Sequence, residues 1–309
     1  MRHQSITPLV SVCILAFNHE NYIRETLDNI LIQETSFDFE IIVHDDASTD
    51  TTPQIIKEYQ ERFPKIIRAI LQTENQFSKD IKPLSTFVYP YLKSEFVAFC
   101  EGDDYWNNPQ KLEKQVAIFR RHKDIVICGH NVKIVNEAGV NQKKIFYKKP
   151  VASGDFKFAF HDEFYNHFFH TATIMIKTSV IKQQPVTDNW VSGDIQFILF
   201  SLSKGMGFYI DQKMSVKRRN LGSIVHNEAY RLKVTDGQYK MWKHVLTFCP
   251  EKYRKLVKLK IAEYDRLFIK TRRKGYPLLK LIQNALLNDP FWFFGYSKAY
   301  KNKLKQSFK

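Results

Sequence analysis

A chain of 309 residues, 44% hydrophobic and 26% charged, can bury one substantial core or two modest ones, which excludes a disordered protein. No run reaches the roughly 20 apolar residues of a bilayer span, and the polar stretch 1–8 lacks the apolar core of a signal peptide, so a cytoplasmic protein is expected. The net charge of +15 sits at one end: residues 231–309 hold 20 Lys and Arg against 5 Asp and Glu, while the first 230 residues are balanced.

Strand and helix patterns alternate from Leu9 to about Arg121. Leu9–Phe17 is a nearly continuous apolar run, as in a strand covered on both faces. Ile23, Leu27, Ile30 and Leu31 follow at helical spacing, and Phe39–Val43 is a second strand. Pro53 marks a helix start with Ile55, Ile56 and Tyr59 on its apolar face. Ile66–Leu71 reads as a third strand, 82–93 as a helix and Phe96–Cys100 as a fourth strand. Asn108-Pro109 is expected to cap a helix with Leu112, Val116 and Phe119 on one stripe. This alternation predicts an α/β fold with a mostly parallel sheet and helices on both faces.

Farther on, Ile125–Val135 and Thr171–Ile176 read as strands, with a turn at Asn136–Gly139, and Ser192 is placed to cap a helix reaching about Lys204. Beyond 226 only helices are predicted, forming a basic, aromatic-rich C-terminal extension. Four scattered cysteines without CxxC spacing read as buried free thiols.

Three strand patterns end in polar clusters: Asn18-His19-Glu20-Asn21, His44 to Asp50, and Glu101-Gly102-Asp103-Asp104-Tyr105-Trp106. Ligands of open parallel sheets bind beyond the carboxyl ends of the strands, so these distant clusters are expected to meet in one crevice. Carboxylates gathered there need a counter-charge, which Mn²⁺ or Mg²⁺ shared with a substrate diphosphate supplies. Asp45–Asp50 taken alone reads as a turn and helix cap; it is no EF-hand calcium loop, having neither Gly at the sixth position nor Glu at the twelfth. Arg218 and Arg219 carry guanidinium groups that match phosphate oxygens.

These segments resemble the family 2 glycosyltransferases of bacterial surface-polysaccharide biosynthesis, which have the Rossmann-like GT-A fold. The resemblance rests on Val10–Asn18 with Glu20–Ile23, on Glu40–Asp50 and on Glu101–Trp106, in that order, and extends over roughly residues 8–225. It implies a catalytic domain over 1–225, with a nucleotide-sugar half (1–122) and an acceptor half (123–225), followed by the helical region 226–309. It implies that Phe17 stacks near the nucleobase and that Asp46, with Asp45, hydrogen-bonds base or ribose. Asn18 and Glu20 stand beside them on the donor side. Glu101 and Asp103 take the acid-x-acid positions, with Asp103 as metal ligand and Asp104 next to it. Asp194 falls where the family has its catalytic base, and Trp106, His170 and His226 fall toward the acceptor side. The chain departs from the pattern at Leu15-Ala16, where Pro-Thr is common, at Glu101 for Asp, and at Gly193-Asp194 for Glu-Asp.

The implied activity is inverting, metal-dependent transfer from a nucleotide sugar, UDP-linked by family habit, to a hydroxyl of a glycan or lipid-linked acceptor. A nucleotide-sugar-binding protein without turnover is the alternative. Nucleic-acid binding fits the basic balance, but acids crowding the cleft would repel a phosphate backbone, so no nucleic-acid partner is expected. Aromatics among Lys and Arg over 236–309 suit contact with the inner face of an anionic membrane, or equally a helical bundle with a solvated basic face.

Overall fold

The computed structural model describes residues 7–79, 81–136, 139–141, 154–184, 193–219, 228–272 and 274–290. Strand β1 (Val10–Ala16) lies at the centre of the first half of a sheet, parallel to β2 (Phe39–Asp45) on one side and to β4 (Phe96–Glu101) on the other. Strand β3 (Ile67–Leu71) adds in parallel outside β2. The order β3-β2-β1-β4 reverses direction at β1, so the β1/β4 boundary is a topological switch point.

Residues of β1, β2 and β4 are buried on both faces because helices cover them. Helix α1 (Ile23–Leu31) buries Ile23, Leu27 and Ile30, and α2 (Thr52–Arg62) buries Ile55, Ile56 and Tyr59. Helix α3 (Lys111–Arg121) buries Leu112, Val116 and Phe119, whose ring stacks on Phe96 at 4.6 Å. It starts two residues later than a cap at Asn108 would place it: Asn108 Oδ1 accepts from Gln110 N at 2.8 Å and closes a turn ahead of the helix. Residues 82–93 also differ from a regular helix. Pro83 and Pro90 interrupt the pattern, leaving a π-helical turn over Leu84–Val88 and a 3₁₀ turn over Tyr89–Tyr91.

After β5 (Tyr105–Trp106) the sheet becomes mixed. β6 (Ile125–Asn136) and β9 (Met206–Arg219) pair in parallel with register shifts near His130. β8 (Met175–Lys177) is antiparallel to both β4 and β6, which joins the two halves, while β5 and β7 (Phe156–Phe158) lie antiparallel to β9. The expected strand Thr171–Ile176 is only half a strand, since Thr171–Thr173 forms a 3₁₀ turn ahead of β8. The short helices α4 (Phe160–Asn166) and α5 (Thr178–Ile181) flank these strands in sequence. All four cysteines are free and buried.

The chain forms two compact units, one of residues 1–189 and 204–224, the other of 190–203 and 225–309. A division at 225/226 leaves α6 (Gly193–Leu202) with the sheet, whereas the structure groups it with α7 (Glu228–Phe248), α8 (Arg254–Thr271) and α9 (Leu278–Asn288). Within that second unit the rings of Phe200 and Phe248 meet edge to face at 5.2 Å. Tyr239 donates to Asp265 at 2.5 Å, and Arg266 pairs with the buried Asp289 at 2.8 Å. Among the described residues no helix is long and apolar enough to cross a membrane.

Candidate active site

Register alone brings the strand-end clusters together. Ala16 pairs with Asp45 and Leu15 with Glu101, so the segments starting at Phe17, Asp46 and Gly102 leave the same edge of the sheet on adjacent strands. Phe17, at 43% exposure, offers an open ring there.

The walls of this crevice are built from side chains that hold backbone. Asn18 and Ala47 both have positive φ, 56° and 62°, a conformation costing a non-glycine residue roughly 1–3 kcal/mol, so neighbouring contacts must fix it. Asn18 Oδ1 accepts from Thr49 N at 2.8 Å, and Asn18 N donates to Ser48 Oγ at 2.8 Å. Glu20 accepts from Thr51 N at 3.0 Å and from its hydroxyl at 2.7 Å, and faces a groove of about 480 Å³ shared with Arg24 and Glu58. Asp45 accepts from Ser48 N at 3.0 Å. Asp46, 6% exposed, accepts from the amides of Gln76 and Phe77 at 2.8 and 3.0 Å, so its carboxylate pins the turn that follows β3.

At the end of β4 the chain turns tightly. Gly102 N donates to Leu15 O at 2.8 Å, and a Cβ on Gly102 would lie 2.6 Å from His19 Nδ1. The Thr26 hydroxyl of α1 lies 3.0 Å from Gly102 O and 2.6 Å from Asp104 O and holds the turn from below. The turn sends consecutive acids to different surroundings: Asp103 is half-buried, Asp104 only 2% exposed.

Glu101, Asp104 and His170 each place a ligand atom within 4.8 Å of the others. Asp104 Oδ1 accepts from Arg218 N at 2.8 Å, and Oδ2 lies 3.6 Å from His170 Nδ1. Burial pushes the Glu101 carboxyl up to about 7, with the Lys217 charge opposing the rise and Asp103 adding to it. Burial likewise raises Asp104 well above the usual carboxylate range and drives His170 well below the usual imidazole value. Glu101 Oε2 is buried without a hydrogen-bond partner among the described residues. A buried bare oxygen beside a second carboxylate and an imidazole is a donor set that fits Mg²⁺ or Mn²⁺. Geometry thus groups Glu101 and His170 with Asp104 as residues able to hold an ion, and it does not bring the expected ligand Asp103 into that group.

Arg218 lies differently from a phosphate-facing guanidinium. It donates to Asp103 O at 2.7 Å, pairs with Glu25 and is flanked by the rings of Tyr105 and Tyr22 at 4.6 and 5.1 Å. It therefore clamps the acidic turn from within. Arg219 follows it, half-buried. Trp106 is 1% exposed: its indole donates to Ala172 O at 3.1 Å and the Lys111 ammonium sits 3.8 Å above its ring, so it is a core residue. Asp194 opens α6 in the second unit, where Oδ1 accepts from Ile195 N at 2.9 Å. His226 lies outside the described residues. Lys217 escaped the sequence reading altogether. Its Nζ is 2.6 Å from His170 Nε2, a contact 47 residues apart in sequence that no local pattern signals.

A parallel sheet with acid-bearing strand ends at a switch point defines a Rossmann-like nucleotide-binding architecture, and the comparisons agree. The chain aligns with the crystal structure of Staphylococcus aureus TarS 1–349 in complex with UDP-GlcNAc at a TM-score of 0.63 and 21% identity, over 90% of this chain and 79% of that one. This is the GT-A fold. The mannosyltransferase PcManGT of Pyrobaculum calidifontis, in complex with GDP-Man and Mn²⁺, aligns at a TM-score of 0.51 and 15% identity, over 96% and 86% of the two chains. The family model "Glycosyl transferase family 2" matches residues 11–184, more than half of the sequence. The chain belongs to that family. It is 42% identical over 136 residues to the uncharacterized protein Rv1520 of Mycobacterium tuberculosis, covering 44% of this chain and 38% of that protein. It is 32% identical over 133 residues to the poly(ribitol-phosphate) β-N-acetylglucosaminyltransferase TarS, covering 43% and 22%. The chain thus spans well under half the length of these curated relatives in sequence.

Proposed function

We propose that this protein transfers a sugar from a nucleoside-diphosphate donor, a UDP-sugar, to a hydroxyl of a glycan or lipid-linked acceptor, with inversion at the anomeric carbon. The observation that carries the reading is the convergence of Phe17, Asp46 and the Glu101–Asp104 turn on one sheet edge, with a bare buried oxygen on Glu101. The UDP-GlcNAc bound to TarS and the GDP-Man with Mn²⁺ bound to PcManGT support a donor of this class.

In this reading Phe17 packs against the base, and Asp46 fixes the loop beside it. Asp103, with Glu101, Asp104 and His170 close by, holds Mn²⁺ or Mg²⁺, which when bound stabilises the negative charge of the departing diphosphate. Arg218 orients the acidic turn through the Asp103 carbonyl. Asp194 is assigned as the general base that takes the acceptor hydroxyl proton, which lets that oxygen attack the face opposite the leaving group. The basic stretch 236–309 is assigned to the membrane inner face; in it Leu278, Leu279 and Leu287 of α9 are exposed, with Lys270, Arg272, Lys274 and Lys280 exposed nearby in sequence.

The test is nucleoside diphosphate release from a panel of UDP-, GDP- and dTDP-sugars with Mn²⁺. Asp103→Ala is expected to lower release by about 100-fold or more. Asp194→Asn should preserve UDP binding while lowering turnover by about 100-fold or more. A sugar donor that binds without any release, in the presence of glycan and lipid acceptors, would overturn the assignment to turnover.

A further inference from the structure

Successive side chains of a strand point to opposite faces, so Lys217 and Arg218 at the end of β9 part company. Arg218 turns to Tyr22, Tyr105 and Glu25 and supports the acidic turn. Lys217 turns the other way, into the group formed by Glu101, Asp104 and His170. Its Nζ sits 2.6 Å from His170 Nε2, and its charge favours the ionised forms of both Glu101 and Asp104.

An ammonium has three donors and no acceptor, so it claims the Nε2 lone pair. The other ring nitrogen then carries the ring proton and lies 3.6 Å from Asp104 Oδ2. Both imidazole nitrogens are thereby engaged inside the protein, and a positive charge already stands among the carboxylates. A divalent ion entering this group meets that charge at close range, in surroundings that screen it poorly.

We propose that Lys217 is the resident counter-cation of the Glu101–Asp104–His170 group and sets its affinity for a divalent ion, a positioning residue that keeps metal binding weak until a donor diphosphate adds its own oxygens and charge. The inference rests on the donor reading above and deepens it. Lys217 plays two parts in that scheme. In the free protein it offsets the repulsion between buried acids, which stabilises the turn. With donor present, it opposes the metal, so ion and nucleotide are taken up together.

The experiment measures Mn²⁺ binding to the full chain by electron paramagnetic resonance, with and without UDP. Lys217→Met keeps the aliphatic stem, and Lys217→Gln keeps a hydrogen-bond donor for His170; both remove the charge. Each is expected to bind Mn²⁺ roughly tenfold or more tightly than the unaltered chain when UDP is absent, with a smaller further gain on adding UDP. Lys217→Arg should restore the unaltered behaviour, which loss of packing alone would not predict. Adding Glu101→Gln to Lys217→Met should abolish the gain and so locate it in this group. If neither uncharged variant, folded by circular dichroism, takes Mn²⁺ more tightly than the unaltered chain, the proposal is overturned. Failure of UDP to bind the unaltered chain instead counts against the donor reading, and the two failures are separately visible.

Discussion

Asp103 and Asp104 are adjacent, yet one is half-buried and the other almost wholly enclosed. The backbone turn that separates them needs Gly102, because any Cβ there would lie 2.6 Å from His19 Nδ1 and 3.1 Å from Leu15 O. Gly102→Ala is expected to lower stability by about 1–3 kcal/mol, read from urea denaturation, and to weaken UDP binding in parallel. Lys111 presents a different single-residue effect. Its ammonium lies over the Trp106 ring and 2.8 Å from Gln115 Oε1, and burial pulls it down to about 7. In the unfolded chain the same group keeps its proton to about 10.4, so between those values the unfolded state binds more protons and stability rises with pH. Lys111→Met should flatten that rise by roughly 1.4 kcal/mol per pH unit at its steepest, measured as the urea unfolding free energy from pH 7 to 10.

Elements whose burial follows one simple rule are legible in the sequence. β1, β2 and β4 are near-continuous apolar runs because both of their faces are covered, and α1, α2 and α3 carry single stripes. β9 was not legible at its true length. Its fourteen residues mix Lys, Arg, Ser and Gln with Met, Val and Ile, because its last third serves a polar site on both faces. The acidic clusters could be found from sequence since strand ends announce themselves by a change from apolar to polar. Their partners could not: Thr26, Lys217 and Arg218 reach them from α1 and β9, and nothing local in those segments records the contact. Asp46 gave a related surprise, because the amides it accepts belong to residues thirty and thirty-one positions away. α9 carries an element-scale prediction. Leu279 and Leu287 are each 77% exposed, with Lys270, Arg272, Lys274 and Lys280 also exposed nearby in sequence. The double variant Leu279→Asp with Leu287→Asp should pellet several-fold less with phosphatidylglycerol vesicles, at unchanged thermal stability. Equal pelleting would leave these leucines without a lipid role.

Charge is distributed at the scale of the whole chain. The excess of fifteen positive charges belongs to the last 79 residues, while the sheet-bearing part is balanced by its own acids. A nearly balanced first unit suits a site that gathers carboxylates, because its counter-charges, Lys217 and Arg218, are drawn from within the same unit. The composition made this asymmetry readable, but not that residues 190–203 group with the basic helices.

The distance along the chain between the acidic turn and its clamp has a consequence for biogenesis. Asp104 and Arg218 are 114 residues apart, so a ribosome that has delivered the turn must translate for roughly 6–23 s more before the clamp exists. Throughout that interval the nascent polypeptide carries clustered acids with neither Lys217 nor Arg218 to offset them. A stalled chain ending short of β9 would carry these acids without the two cations that answer them in the folded protein.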